Sequence, residues 1–158
     1  MRALVVRPVD VDVPADVLWD YLMDWPRQGE WIPFTRVERA DPADPANAVG
    51  GRIRAWSGIG PVGFWDEMTI TTWDRRPDGG GVCEVLHTGA VVKGEGVFEV
   101  VATGPGSSRF LWSEMVVVPL GRLGALGWRL ARPLLERLIL DRALARMKAR
   151  VEGRHAAR

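Results

Sequence analysis

Apolar residues recur along this chain with two periods, first two and then helical. The stretch 3–13, ALVVRPVDVDV, ends in strict alternation: Val9, Val11 and Val13 face one way, Asp10 and Asp12 the other. That is the signature of a half-buried strand. Pro8 cannot donate to a ladder, which places the strand at an edge or at a bulge. Pro14 ends it. Residues 15–25 then read as a short helix, with Asp16 in the first turn and Leu18, Leu22 and Trp25 on one side. Pro26 stops that helix, and 27–32 reads as a second short helix or turn. Six more strands follow, at 34–39, 52–57, 64–74, 82–88, 94–103 and 109–118, separated by glycine- and proline-rich turns. Successive strands joined by short turns imply an antiparallel meander.

From Gly121 to the end the period changes. At a hundred degrees per residue, Leu126, Leu130, Leu140, Leu144, Met147 and Val151 share one stripe, which predicts a long amphipathic helix. Pro133 lacks an N–H and clashes with the turn before it, so the helix either starts there or kinks there. In the second case 121–132 is a separate short helix or a lid. A sheet with one apolar face must bury that face, and this helix is the segment available to do so. The pattern therefore predicts an α+β fold in a single domain, 1–158: a curved antiparallel sheet of about seven strands, two short helices after the first, and one long C-terminal helix.

Strand phase sorts the polar residues. Phe64, Asp66, Met68, Ile70 and Thr72 alternate with Trp65, Glu67, Thr69, Thr71 and Trp73. The reading favours Phe64, Met68 and Ile70 inward, which carries Asp66 inward too. In 82–88, Cys83, Val85 and His87 share a face. In the last strand Phe110, Trp112, Glu114 and Val116 form one face and Leu111, Ser113, Met115 and Val117 the other. Gly58-Ile-Gly60-Pro-Val-Gly63 matches G-x-G-x-x-G, but a strand pattern follows it rather than a helix whose N-terminus could hold a pyrophosphate. The match is a hairpin turn.

Composition narrows the chemistry. One cysteine, Cys83, excludes an internal disulfide, and the histidines, His87 and His155, lie far apart in sequence. No metal site and no cofactor are expected. No apolar run approaches the ~18 residues of a membrane span, and the N-terminus lacks a signal-peptide pattern, so the expected location is cytoplasmic. The net charge of +1 is unevenly spread, with ten basic and three acidic residues from Arg122 onward. The basic segment is read as a solvated helix face, or as a transient contact with a membrane surface or an acidic partner. Nucleic acid is not expected, because the arginines are not interleaved with exposed aromatics. Eight tryptophans, from Trp19 to Trp128, supply large apolar surfaces for a core or for the lining of a cavity.

Several short motifs occur in a telling order. They are Val11-Asp-Val-Pro14-Ala15 followed by Val17-Leu-Trp19 and Asp24-Trp25, then Trp31-Ile-Pro33, then Trp65-Asp-Glu67 through Trp73-Asp74-Arg-Arg-Pro77. After these come His87-Thr-Gly89, Gly94-x-Gly96-x-Phe98-Glu99, and Leu111-Trp112-x-Glu114 with Pro119 beyond. Together with the element order they resemble the START-like, or SRPBCC, superfamily of helix-grip proteins, in its polyketide cyclase/dehydratase-like branch. The resemblance covers nearly the whole chain. It implies a cavity between the concave sheet face and the long helix, with the Gly58–Gly63 turn at one mouth. On the sheet the implied cavity residues are Phe64, Met68, Ile70, Val85, Phe98 and Trp112. On the helix they are Leu130, Leu134 and Leu138.

A carboxyl in an apolar pocket is a candidate acid or base. Asp66, Glu67 and Glu114 qualify, each also readable as a solvent-facing strand residue paired across the sheet with an arginine. Arg137, four residues before Asp141, could orient a carbonyl from the core side of the helix or form a surface ion pair. His87 could be a general base or a structural residue, and Cys83 reads as a small buried hydrophobe. The first functional reading is binding of a small hydrophobic molecule, lipid-like or polyketide-like, by a monomer or homodimer. The alternative is an aromatase/cyclase-type enzyme promoting aldol cyclisation and dehydration, and a second alternative is a membrane or partner adaptor using the basic helix. A convergent polar set such as Asp66, Glu114 and Arg137 inside one pocket would favour the enzyme.

Overall fold

The computed structural model describes residues 2–117, 126, 127, 129, 130, 133 and 136–157, the Val116 side chain excepted. The seven strands are β1 (Arg2–Val11), β2 (Thr35–Arg39), β3 (Arg52–Ile59), β4 (Val62–Arg75), β5 (Gly81–His87), β6 (Gly94–Gly104) and β7 (Ser107–Val117). They form one antiparallel sheet in the order β1-β7-β6-β5-β4-β3-β2. β2 to β7 follow one another as neighbours, and the chain crosses the sheet between β1 and β2. That crossing carries helix α1 (Ala15–Leu22) and a 3₁₀ helix, Trp25–Glu30. β1 is an edge strand, where Pro8, opposite Leu111, costs no ladder bond on its free side.

Local sequence accounts for most of these elements. Pro14 caps α1 with an extended backbone, and its carbonyl accepts the first helical hydrogen bond from Leu18 N–H at 3.1 Å. Asp16 lies at the positive end of the helix dipole. Ala15, Leu18 and Leu22 then fall on one face and are buried. The β3–β4 hairpin turns on Gly60-Pro61, with Ile59 paired to Val62. Gly60 holds φ at 58°, as the first central residue of a two-residue hairpin turn requires. The glycine-rich stretch is therefore a turn and not a phosphate loop.

The inner sheet face packs against α1, the 3₁₀ helix and the C-terminal helix α2 (Asp141–Ala156). Val11, Leu18, Trp31, Phe110 and Met147 are fully enclosed. Each such side chain contributes about 1.5–3 kcal/mol through removal from water. Trp31 anchors an aromatic cluster, edge-on to Trp112 at 5.6 Å and to Phe110 at 6.5 Å.

Two local irregularities change the phase expected from periodicity. A bulge between Ile70 and Thr72 inserts one residue into β4. Asp66, Met68 and Ile70 face inward before it; after it Trp73, of the opposite parity, turns to the core beside Trp19 and Trp25. An extra residue on one strand reverses the alternation beyond it. The second irregularity is a π-helical turn, Glu136–Leu140, leading into α2. The wider turn rotates the helical faces on its two sides relative to each other. Leu144, Met147 and Val151 keep the predicted stripe and are buried, whereas Leu126 and Leu130 are 56% and 74% exposed. The single stripe over 126–151 is thus corrected to one confined to α2 and Leu140. The proposed lid, 121–132, falls largely outside the described residues.

Candidate functional site

A cavity of about 170 Å³ opens inside the sheet. Its wall is mostly apolar: Val37, Ile53, Ala55, Met68, Val85 and Phe98 contribute, with Trp112 and, from the 3₁₀ helix side, Trp25 and Ile32. Among the described residues no side chain of α2 lines it. The candidates meet different fates. Met68, Val85, Phe98 and Trp112 lie in the wall. Ile70 is fully buried in the core but is not a wall residue, and Phe64, paired with Ser57, is half-buried outside the wall. Leu130 and Leu138 are exposed to solvent, which corrects their expected place in the cavity, and Leu134 lies outside the described residues. Arg137 is also exposed, and its expected partner Asp141 instead accepts a hydrogen bond from Arg7 Nε at 3.3 Å. Arg7 also pairs with Glu136 at 2.5 Å, so β1 claims the start of α2.

The polar end of the cavity is built by three strands. Asp66 stands on β4, two residues along from Met68, the cross-strand partner of His87. A diagonal neighbour on the same face is within reach of a long side chain. His87 Nδ1 lies 3.0 and 2.9 Å from the two carboxylate oxygens of Asp66. Its Nε2 lies 3.3 Å from Glu114 Oε2. Glu114 belongs to β7, two strands from β5, a separation of roughly 9–10 Å between backbones. It spans that gap because the intervening β6 presents glycines: Gly94 faces His87, and Gly96 faces Glu114. A Cβ on Gly96 would stand 3.2 Å from both Glu114 carboxylate oxygens and 3.1 Å from Val85 Cγ2. The Gly94-x-Gly96 motif thus clears the floor beneath the cluster. Trp112 Nε1–H, two residues before Glu114, donates to its Oε1 at 2.7 Å and fixes the carboxylate.

Burial opposes a charge on His87, but hydrogen bonds to Asp66 and Glu114 and the negative charge of both outweigh it and push its pKa up to about 9. At neutral pH the ring is therefore an imidazolium held between two carboxyl groups. The Cys83 thiol, also in the wall, is pushed up to about 12 by burial and by nearby Glu84. It stays protonated and is no nucleophile. Glu67 points to solvent from the opposite face of β4. Among the described residues no group of three His, Cys, Asp or Glu side chains is placed to hold a metal ion, and no helix is long and apolar enough to cross a membrane. Periodicity did not point to Gln28, Thr35 and Ser57, which add polar atoms to the wall. Their positions depend on where the 3₁₀ helix docks and on the β2–β3 register.

Residues 2–152 match the family described as polyketide cyclase / dehydrase and lipid transport. No curated protein sequence matches the chain. Among solved structures, it is similar to a START superfamily protein from Mycobacterium smegmatis, at 19% identity and a TM-score of 0.67, over 96% of this chain and 95% of that one. It is also similar to the Zhui aromatase/cyclase from Streptomyces sp. R1128, at 18% identity and a TM-score of 0.64, over 98% and 93%. The di-domain aromatase/cyclase BexL of the BE-7585A biosynthetic pathway aligns at 15% identity and a TM-score of 0.67, over 95% of this chain. The chain spans 46% of that larger protein.

Proposed function

Because this chain belongs to the polyketide cyclase/dehydrase and lipid transport family and has the START-like helix-grip fold, we propose that it binds a small apolar carbonyl compound and moves a proton on it. The chemistry is the enolisation shared by aldol cyclisation and dehydration. The observation that carries this reading is the convergence of Asp66, His87 and Glu114 at the end of one apolar cavity. A simple container needs no such set.

The residues take distinct parts. Asp66 holds Nδ1–H and orients the ring. The longer Nε2 contact, 3.3 Å to Glu114, is the one a ligand can replace. A carbonyl oxygen entering there accepts the Nε2–H hydrogen bond. Glu114, held at Oε1 by Trp112, keeps Oε2 for the adjacent α-carbon. In the step itself Oε2 takes the α-proton, the C–H electron pair becomes the enol double bond, and Nε2 gives its proton to the oxygen. The products are an enol, a carboxylic acid and a neutral imidazole, and the reverse step restores the starting charges. An acid with a pKa of about 9 is protonated at neutral pH and available as the donor.

The test is proton exchange. Phenylacetone in deuterated buffer should exchange its α-protons faster with the protein than without, by NMR, and Glu114→Gln should slow the protein's share by about 10²-fold or more. Exchange at the buffer rate, with the ketone demonstrably bound, would remove the catalytic reading and leave a binding protein. That second reading draws on one observation: both His87 nitrogens are already engaged. The adaptor reading has less support, since Lys148, Arg150 and Arg154 of the basic helix are ion-paired within the fold, the two arginines with Glu30 and the lysine with Glu152.

A further inference from the structure

We propose that the polar end of the cavity is a receptor for a hydrogen-bond donor on an otherwise apolar ligand, a protonated amine ahead of a neutral hydroxyl, and that it turns carboxylic acids away. The proposal rests on the cavity being the binding site, as argued above.

Two independent observations support it. The first is charge. Two carboxyl groups share one imidazole, and among the described residues no lysine or arginine lines the cavity. One imidazolium cannot balance two carboxylates, so a ligand cation completes the site and a ligand anion adds a third negative charge to it. The second is the hydrogen-bond inventory. Most of the wall's donors are already committed: Trp112 Nε1–H to Glu114, Trp25 Nε1–H to Asn47 Oδ1, one of the two Gln28 amide N–H groups to the Leu22 carbonyl, and the Thr35 hydroxyl to the Pro33 carbonyl, with the Ser57 hydroxyl 3.5 Å from the Thr35 oxygen. Acceptor capacity remains. A carboxylate offers about four lone-pair sites; Asp66 receives the single His87 Nδ1–H, and Glu114 receives Nε2–H and the Trp112 N–H. At the polar end an incoming carboxylate would find the charged donor, His87 Nε2–H, already held by Glu114 and would have to displace a like charge to reach it. A ketone makes the same exchange without bringing a charge, and an ammonium or hydroxyl needs no displacement.

Three probes of similar size test this: phenethylamine, phenethyl alcohol and phenylacetate, titrated into the full chain by calorimetry at neutral pH. Phenethylamine should bind about tenfold or more tighter than phenylacetate, with the alcohol between them. Glu114→Gln and Asp66→Asn, each checked for a native melting transition, should each narrow that gap. Phenylacetate binding as tightly as phenethylamine would overturn the proposal and leave the cavity reading intact. So would a gap unchanged in both variants, because the discrimination would then arise elsewhere. If none of the three probes binds, the cavity reading fails and this proposal fails with it.

Discussion

The two faces of the sheet solve the same electrostatic problem with opposite consequences. On the outer face Arg54 meets Glu38 at 2.8 Å and covers the Trp65 ring at 4.6 Å. On the inner face His87 meets Asp66 at 2.9 Å. The distances are alike, but the Arg54 and Glu38 side chains are 40% and 37% exposed, against 8% and 12% for His87 and Asp66. Water screens the outer pair and competes for its hydrogen bonds. The inner set has little water to fall back on, so a partner removed there leaves a charge stranded. Distance identifies a pair, and burial decides what it is worth.

The comparison can be broken most forcefully at its centre. His87→Ala strands two carboxyl groups, and chemical denaturation should show a loss of about 3–5 kcal/mol at neutral pH. A loss below about 1 kcal/mol would mean the cluster is far wetter than its burial implies. The next effect is on pH dependence. The folded-state pKa of His87 lies above its unfolded value, so its contribution is fully present below about 6.5 and is lost as pH rises through about 9. A shift of this size corresponds to roughly 3 kcal/mol. Melts between those limits should show falling stability, His87→Gln should flatten the fall, and NMR should place the His87 titration near the upper limit. A His87 midpoint near the ordinary histidine value would end the argument for a buried imidazolium. The smallest effect belongs to the outer face: Arg54→Ala should cost less than about 1 kcal/mol, and added salt should shrink the difference further. A larger, salt-insensitive loss would erase the contrast between the faces.

How much of this was legible in the linear chain varies by element. Alternation placed Val9 and Val11 on one face of β1, and Pro8 pointed to an edge or a bulge, because these are properties of a strand considered alone. The same parity put Asp66 with Met68, His87 with Cys83 and Val85, and Glu114 with Phe110 and Trp112. It could not show that the three polar residues meet, because that depends on the registers of β4, β5, β6 and β7. Strand parity also failed outright at Trp73, where the bulge reverses it, and the helical stripe failed at Leu126 and Leu130, which are exposed. Arg137 was assigned a local partner at i+4, but the long-range claim of Arg7 on Asp141 prevailed.

The sequence by itself determined the element order, the antiparallel meander and the apolar inner face, since turn chemistry and periodicity act over a few residues. The chemistry of the cavity was decided only by tertiary structure. His87 becomes a lasting cation because strands distant in sequence bring two carboxyl groups to it, over two glycines, in a place water reaches poorly. A pKa reports on surroundings, and surroundings exist only once the chain has folded.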